Sequence, residues 1–315
     1  MNILSWNIFG RTQKKRNSKN KTKKSYKMNC SPEVAGETVG SETCYTNDAL
    51  KKIKNAYNKN YPKQPITTNK PKKIFIELKE KLKQCHKEDC WLRQLPESDQ
   101  IYLDKYLFAP DQPNEWKRNP NEWLSNIDIL KVLHQYEKKY KHFKFIGPTP
   151  IDFDTRLPEE NGKCVWEDLC NLSLLNQMKK GIKKIGVIFN LDKHDQSGSH
   201  WVSLFIDIEN RVVFYFDSAA NKTPPEVKVL VKKLIQQGKK LNTPIRFRYI
   251  ENYPTLHQHS NSECGMYSLF FIITMLVSRI EDENNMSMRE KIKLFKKSKI
   301  PDKYVEKFRN IYFNP

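Results

Sequence analysis

The chain has 315 residues and a mass of 37.4 kDa, and 38% of its residues are hydrophobic, which is enough for one large domain or two ordinary ones with a buried core. Its 56 Lys and Arg against 36 Asp and Glu give a net charge of +20, and the mean hydropathy of −0.76 indicates a polar surface. These values exclude disorder throughout, and no apolar run approaches the roughly 18 residues of a membrane span. Because the first residues lack the long apolar core of a secretory signal, a reducing, intracellular setting is predicted.

Much of the positive charge lies in the first quarter of the chain. Residues 1–75 hold 17 basic and 4 acidic residues, a net charge of +13. Residues 1–30 are predicted to form a basic disordered arm, because Lys, Asn, Ser and Thr predominate between residues 11 and 27. Non-specific nucleic acid is a predicted partner of this arm, and a solubilising tail is the alternative.

Residues 31–110 are predicted to form an accessory region that is mostly helical. Short amphipathic patterns between residues 46 and 105 are separated by prolines, which is typical of short helices. A cluster of Pro and Asn at residues 110–121 indicates the boundary of a second domain, over residues 111–315.

The second domain is predicted to be α+β, with a central mixed sheet flanked by helices. Nearly continuous apolar runs predict buried strands, at residues 185–191, 201–208, 212–217 and 245–250. Helical periodicity predicts helices at residues 125–140, 225–237, 264–280, 288–296 and 302–312. Gly238 is expected just after the end of the second of these helices.

The seven cysteines have irregular spacing and do not predict a disulfide framework. Cys85 and Cys90 are interpreted as a structural or incidental thiol pair, with a zinc site as the less favoured alternative. Cys164 and Cys170 are predicted to pack as small hydrophobic side chains. No metal ion and no cofactor is expected.

Cys264 differs from the other cysteines because it follows a polar stretch and begins the apolar helix predicted at residues 264–280. Unpaired backbone N–H groups at a helix N-terminus stabilise a thiolate, which is the reactive form of cysteine. A buried core cysteine is the alternative, and it is favoured by position alone. Further residues are therefore needed to identify a nucleophile.

A predicted hairpin supplies those residues. If the strands on either side of a turn at Glu209 and Asn210 pair so that opposite residue numbers sum to 419, His200 and Asp217 lie on one face as diagonal neighbours. Asp207 points to the other face, because it is an odd number of residues from His200. The alternative for His200 is a surface histidine that closes the flexible loop at residues 195–199.

These residues predict a Cys-His-Asp triad. His200 would accept the proton of Cys264, Asp217 would orient the imidazole, and the thiolate would attack a carbonyl group. Gln258 and the backbone N–H of Cys264 would donate hydrogen bonds to the oxyanion.

The residues His200-Trp201, Asp217, Gln258 and Cys264-Gly265, in this order, resemble the adenovirus-protease and SUMO-protease class of cysteine peptidases, and in particular the SUMO-like polyprotein proteases of large DNA viruses. The resemblance covers roughly residues 120–280. It implies the papain-like architecture of that class, with the catalytic cysteine at the N-terminus of a core helix. It also implies the same four catalytic residues.

In SUMO proteases the Trp after the His helps to enclose a narrow channel for a Gly-Gly tail, and Trp201 matches it. The stretch Trp123-Leu124-Ser125-Asn126 resembles the Trp-Leu-Asn-Asp stretch that supplies a second channel Trp, with Asn126 in place of the family's acidic residue. Trp123, Asn126 and Trp201 are therefore predicted to bind substrate. Core packing is the alternative for either Trp.

The resemblance implies an endopeptidase that cleaves after Gly-Gly-type sites in viral structural polyproteins during virion maturation. Such an enzyme would act in the viral factory of the host cytoplasm and in the virion, without a membrane partner. Three other functions stay open: an isopeptidase that removes SUMO or ubiquitin-like proteins, an acetyltransferase, and a non-enzymatic basic protein that binds nucleic acid.

Overall fold

The computed structural model describes residues 27–277 and 285–315. Most of the predicted basic arm, residues 1–26, lies outside the described residues. Within the two described ranges, no helix combines the length and hydropathy that a bilayer crossing requires.

The described residues form α-helices, strands and short 3-10 helices. The α-helices are α1 (Asn47–Asn60), α2 (Pro71–Lys81), α3 (Glu97–Leu107), α4 (Asn126–Lys139), α5 (Glu167–Cys170), α6 (Leu174–Lys179), α7 (Pro225–Lys239), α8 (Cys264–Leu276), α9 (Met288–Lys297), α10 (Asp302–Glu306) and α11 (Arg309–Tyr312). The strands are β1 (Phe143–Pro150), β2 (Arg156–Leu157), β3 (Lys163–Cys164), β4 (Lys184–Asn190), β5 (Trp201–Asp207), β6 (Val212–Phe216) and β7 (Arg248–Glu251). The 3-10 helices are Pro32–Val34, Glu88–Gln94, Asn114–Lys117 and Pro158–Glu160.

Five strands form one mixed sheet in the order β1-β4-β5-β6-β7. The central strands β4, β5 and β6 are antiparallel, whereas the outer strands β1 and β7 are each parallel to their neighbour. This arrangement confirms the predicted α+β class with a central mixed sheet. Strand β1 has no counterpart among the predicted strands, because Pro148 and Pro150 interrupt its apolar run; prolines are tolerated there since β1 lies at the edge.

Helices cover both faces of the sheet. Helix α8 packs on one face, in a cluster that includes Phe205 and Phe214, and every residue from Cys264 to Leu276 is buried. Helix α7 packs on the other face through Val227, Leu230 and neighbouring side chains. The nearly uniform apolar composition of α8 therefore reflects a helix that is surrounded by protein.

Three helix predictions are wrong in part. The helix predicted at residues 264–280 ends at Leu276, and residues 278–280 lie outside the described residues. Gly238 lies inside α7, where a Cβ atom would come within 2.7 Å of the Phe247 ring and 2.8 Å of the Ile245 carbonyl oxygen, so close packing requires glycine there. The predicted helix at residues 302–312 is two short helices, α10 and α11.

The predicted accessory region has an apolar cluster of its own, formed by side chains between Met28 and Phe108. The prolines delimit its helices as predicted, since α2 begins at Pro71 and α3 directly follows Pro96. Hydrogen bonds connect this region to the rest of the protein. The Asn314 amide donates to the carbonyl oxygens of Ala109 at 2.8 Å and Asn29 at 3.1 Å.

The prediction that the cysteines form no disulfides is wrong. Three pairs are bonded, with Cα atoms 5.1, 5.5 and 6.3 Å apart, distances that a disulfide spans. The pairs are Cys30–Cys44, Cys85–Cys90 and Cys164–Cys170. The bond in the second pair leaves no free thiol there for zinc, which was the less favoured alternative, and the third pair does not pack as two separate thiols. Local turns bring each pair together, and irregular spacing gave no indication of them.

Candidate active site

The predicted register of the β5–β6 hairpin is the observed one. Ser203 lies opposite Phe216, and Leu204 lies opposite Tyr215, so that opposite residue numbers sum to 419. His200 immediately precedes β5 and Asp217 immediately follows β6, which places both at the same end of the strand pair. The His200 Nε2 atom lies 2.7 Å from Asp217 Oδ1.

Asp217 is fully buried, and its carboxylate is held by backbone groups. Oδ1 accepts a hydrogen bond from the Ala219 N–H at 2.8 Å, and Oδ2 accepts one from the Asn221 N–H at 3.2 Å. The buried Asn252 side chain fixes the Asp217 backbone, because it accepts from the Asp217 N–H at 2.9 Å and donates to the Asp217 carbonyl at 2.7 Å. The carboxylate is thus directed at His200, and sequence reasoning missed Asn252.

Asp207 lies at the opposite end of β5 and takes no part in this site. Its carboxylate is fully buried and accepts hydrogen bonds from the Asn210 backbone N–H at 2.8 Å and the Asn210 side-chain amide at 3.0 Å. His200 therefore contacts Asp217 and not Asp207, as the predicted hairpin register requires.

The loop before His200, expected to be flexible, is fixed by side chains at its base. Asp192 accepts hydrogen bonds from the Ser199 hydroxyl at 2.6 Å and the Gly198 N–H at 3.0 Å. Asn190 accepts from the Ser199 N–H at 3.1 Å. Gly198 has φ = 96°, which an L side chain rarely adopts. These contacts hold the chain just before His200.

Cys264 is the first residue of α8 and is 2% exposed. It is the one free cysteine among the described residues. Because His200 Nε2 faces Asp217, the other ring nitrogen is left for the Cys264 sulfur. Burial lowers the pKa of His200, but the Asp217 carboxylate and the Cys264 sulfur beside the ring outweigh burial and raise this pKa to about 10. His200 therefore links the other two residues of the predicted triad.

The Gln258 side chain is held at both ends. Its Oε1 accepts a hydrogen bond from the Ser218 hydroxyl at 2.7 Å, and its Nε2 donates to the Ser260 carbonyl at 2.6 Å. An amide nitrogen has two N–H donors, so one of the two is engaged by Ser260. Ser218, which follows Asp217, thus orients the predicted oxyanion donor, a role that sequence reasoning missed.

The two predicted channel tryptophans differ in exposure. Trp201 is 8% exposed, and its indole N–H donates to the Leu124 carbonyl at 3.1 Å, whereas Trp123 is 41% exposed. A Cβ atom at Gly265 would lie 3.0 Å from Leu124 Cβ and 3.3 Å from Trp201 Cδ1. The Trp123-Leu124 segment therefore lies against Trp201 and the start of α8. Asn126 is exposed at the first position of α4, and its Oδ1 accepts from the adjacent N–H of Ile127.

A buried ion pair adjoins Cys264. Glu263, directly before Cys264, is fully buried and accepts hydrogen bonds from Arg309 Nη2 at 2.8 Å and Nε at 3.2 Å. Arg309 also donates to the Glu122 carbonyl at 2.9 Å, next to Trp123, and lies over the Trp116 ring. One guanidinium thus connects the start of α8 with the Trp123 segment, over separations of 46 and 187 residues that no sequence pattern reveals.

Comparisons with known proteins bear on this arrangement. Residues 174–313 match the model of the Ulp1 protease family, C-terminal catalytic domain. A candidate thiol protease of Acanthamoeba polyphaga mimivirus is 30% identical over 295 residues, which is 87% of this chain and 89% of that protein. The chain belongs to the Ulp1 protease family. It is a cysteine protease, as predicted.

Two further matches come from African swine fever virus. A cysteine protease of African swine fever virus is 28% identical over 187 residues, 55% of this chain and 68% of that protein. The crystal structure of an African swine fever virus protease superposes with a TM-score of 0.58 at 21% identity, covering 90% of this chain and 95% of that one. This likeness shows that the two share a fold.

Proposed function

We propose that the protein is a thiol endopeptidase in which Cys264 is the nucleophile, His200 the general base and acid, and Asp217 the group that orients His200. Gln258 and the backbone N–H of Cys264 bind the oxyanion. The observation that carries the proposal is the position of His200, 2.7 Å from the buried Asp217 carboxylate on one side and beside the Cys264 sulfur on the other.

His200 accepts the proton of the Cys264 thiol, and the raised pKa of His200 favours the imidazolium that results. The thiolate attacks the scissile carbonyl carbon, and the electron pair of the C=O bond moves to the oxygen. His200 then protonates the leaving amine as the C–N bond breaks, which leaves a thioester. His200 next takes a proton from water, whose oxygen attacks the thioester and releases the new carboxylate and Cys264.

The substrate is proposed to carry glycine on the acyl side of the scissile bond, at both of the last two positions. Support comes from the packing of Trp201 and Leu124 against Gly265, next to the nucleophile, and from the exposed indole of Trp123 at the same segment. Indole rings on either side of an extended chain leave room for residues without a Cβ atom. Trp123 and Trp201 would flank the chain, with Asn126 at the outer end.

Viral structural polyproteins are the proposed substrates, processed in the viral factory and the virion. Support comes from the viral source of the relatives. The basic charge of residues 1–30 supports a docking role on nucleic acid. A variant lacking residues 1–26 tests this role without removing Asn29 and its contacts to Asn314. Loss of nucleic-acid retention is expected, and retention equal to that of the full chain would contradict the role.

Cleavage of peptides under conditions that keep Cys264 reduced tests the activity. Peptides with Gly-Gly-Ala, Gly-Gly-Gly and Gly-Ala-Ala cores are incubated with wild type and Cys264→Ala. We expect cleavage after Gly-Gly that is absent from the variant and at least ten-fold slower for Gly-Ala-Ala. Inactivity of folded wild type, with labelling by a ubiquitin-like vinyl sulfone, would favour an isopeptidase instead.

A further inference from the structure

Asp302, the first residue of α10, lies against the loop that carries Gln258. Its Oδ2 accepts hydrogen bonds from the backbone N–H groups of Ser260 at 2.9 Å and His259 at 3.0 Å. The Tyr267 hydroxyl lies 3.0 Å from Asp302 Oδ1 and 2.8 Å from the Ile300 carbonyl oxygen, so these two acceptors share its one proton. A single carboxylate therefore binds two successive peptide N–H groups and contacts one side-chain hydroxyl.

These contacts reach both halves of the proposed oxyanion site. Ser260, whose N–H binds Asp302, uses its carbonyl oxygen to accept the Gln258 amide at 2.6 Å. Tyr267 lies three residues after Cys264, in the first turn of α8. The carboxylate thus joins the loop that carries the amide donor to the helix that carries the nucleophile.

We propose that Asp302 is a positioning residue that sets the separation between the Gln258 amide and the Cys264 sulfur. The proposal rests on the roles of Gln258 and Cys264 given above. Without the carboxylate, the Ser260 peptide is free to rotate, and the Gln258 amide that binds its carbonyl oxygen loses its fixed direction. The affected step is the formation of the tetrahedral oxyanion, and the Cys264–His200 pair is left intact.

The neighbouring contacts agree with this role. The fully buried His257, next to Gln258, accepts a hydrogen bond from the Ile300 N–H at 3.2 Å through Nδ1 and donates to the Phe295 carbonyl at 2.8 Å through Nε2. The loop is therefore anchored to the C-terminal segment on both sides of Gln258. Burial, together with the Asp302 carboxylate, raises the pKa of Tyr267, so its hydroxyl keeps the proton that it donates.

Two reactions of the same thiol separate positioning from general damage. Peptide hydrolysis passes through an oxyanion, whereas alkylation by iodoacetamide is a displacement at an sp³ carbon and forms none. For Asp302→Ala we expect kcat to fall roughly 10- to 100-fold, which is below the loss from deleting an oxyanion donor outright. We expect KM and the rate of alkylation to stay within about two-fold of wild type. The pH profile of alkylation should be unchanged.

Three further variants sharpen the test. Glu306→Ala is the matched control, since it removes another carboxylate of α10 that makes no hydrogen bond within residues 27–277 and 285–315, and its kcat should be unchanged. Asp302→Asn keeps one acceptor oxygen and should lose less activity than Asp302→Ala. Adding Asp302→Ala to Gln258→Ala should lower kcat by less than a further factor of about two, because both substitutions act on the same hydrogen-bond donor.

An unchanged kcat in folded Asp302→Ala would overturn the proposal, and so would equal losses of hydrolysis and alkylation, which indicate a disrupted fold. Other outcomes test the proposed function itself. Hydrolysis that persists in Cys264→Ala, or is absent from wild type, contradicts the proposed function and with it the role of Asp302. An inactive Cys264→Ala beside a normal Asp302→Ala contradicts the role of Asp302 alone.

Discussion

The two halves of the candidate site are built in different ways. His200 and Asp217 are placed by one hairpin, whose strands lie next to each other in the sequence and whose register fixes their separation. Gln258 and Cys264 are placed by a loop and a helix end that depend on the C-terminal segment, through Asp302 and Arg309. The hairpin half, His200 and Asp217, is therefore local in sequence. The loop half, Gln258 and Cys264, depends on contacts with residues about 40 positions away.

The difference shows where the site is sensitive to change. A hairpin keeps its geometry as long as its ladder is formed, because backbone hydrogen bonds along the strands set the register. The loop has no such ladder, and side chains hold it at single points. We therefore expect substitutions near the hairpin to act on the chemistry directly, and substitutions in the C-terminal segment to act through the position of the loop.

The largest effect is expected at the hairpin. Asp217→Asn should lower kcat by about 10³- to 10⁴-fold, because an amide is uncharged and cannot stabilise the imidazolium of His200. Steady-state peptide hydrolysis measures the loss. Asp207→Asn is the matched control, an equally buried carboxylate at the far end of β5, and it should lower stability while leaving kcat within about three-fold. Similar losses of kcat in both variants would contradict the local role of Asp217.

The hairpin half could be predicted from the sequence because alternation along two strands and one turn determines which side chains share a face. The register sum placed His200 beside Asp217 and set Asp207 apart, and the structure has that register. The Asn252 clamp and the Ser218 hydroxyl were missed, since a single side chain that bonds to a distant backbone group leaves no periodic signal.

For the loop half, the sequence predicted which residues take part but not the contacts that hold them in place. Cys264 and Gln258 were identified from their order and from the helix start, but Asp302 had no assigned role beyond a predicted helix. Helix α8 is so apolar that periodicity could not show which side chains its first turn meets. The disulfides were missed for a related reason, because chain separation alone does not show which thiols approach each other.

The buried ion pair tests how strongly the loop half depends on the C-terminal segment. Arg309→Met leaves the Glu263 carboxylate buried without its partner, and we expect the free energy of unfolding to fall by about 3 kcal/mol. Glu263→Gln added to Arg309→Met should restore part of the loss. Urea denaturation measures all variants. Lys183→Met, which breaks the half-exposed pair with Glu209, should cost less than about 1 kcal/mol, and an equal cost at the two sites would contradict this dependence.

The pH dependence of stability separates the two halves again. The folded pKa of His200 is raised to about 10, against about 6.5 in an unfolded chain, so its contribution is fully present below pH 6.5 and lost as the pH rises through 10. Between these values the folded state binds one proton more. The free energy of unfolding of wild type should therefore fall by at most about 1.4 kcal/mol per pH unit relative to His200→Gln. Parallel pH profiles of the two proteins would show that His200 and Cys264 together take up no net proton on folding.

The smallest effect is expected at acidic pH, in the loop half of the site. Burial lowers the pKa of His257, and the Phe295 carbonyl, which accepts from its ring, opposes this in part, so the neutral form is favoured by folding. Its contribution is present above the unfolded pKa of about 6.5 and is lost as the pH falls through the lower folded value. Protonation of Nδ1 would also remove the acceptor of the Ile300 N–H, so acid should loosen the Gln258 loop before the sheet unfolds.

Between pH 7 and 5, kcat should fall more than the rate of Cys264 alkylation does. His142→Gln is the control, because burial lowers the pKa of His142 as well but this residue lies directly before β1, away from the loop. If His142→Gln, and not His257→Gln, removed the loss at low pH, the acid response would belong to the sheet and not to the loop.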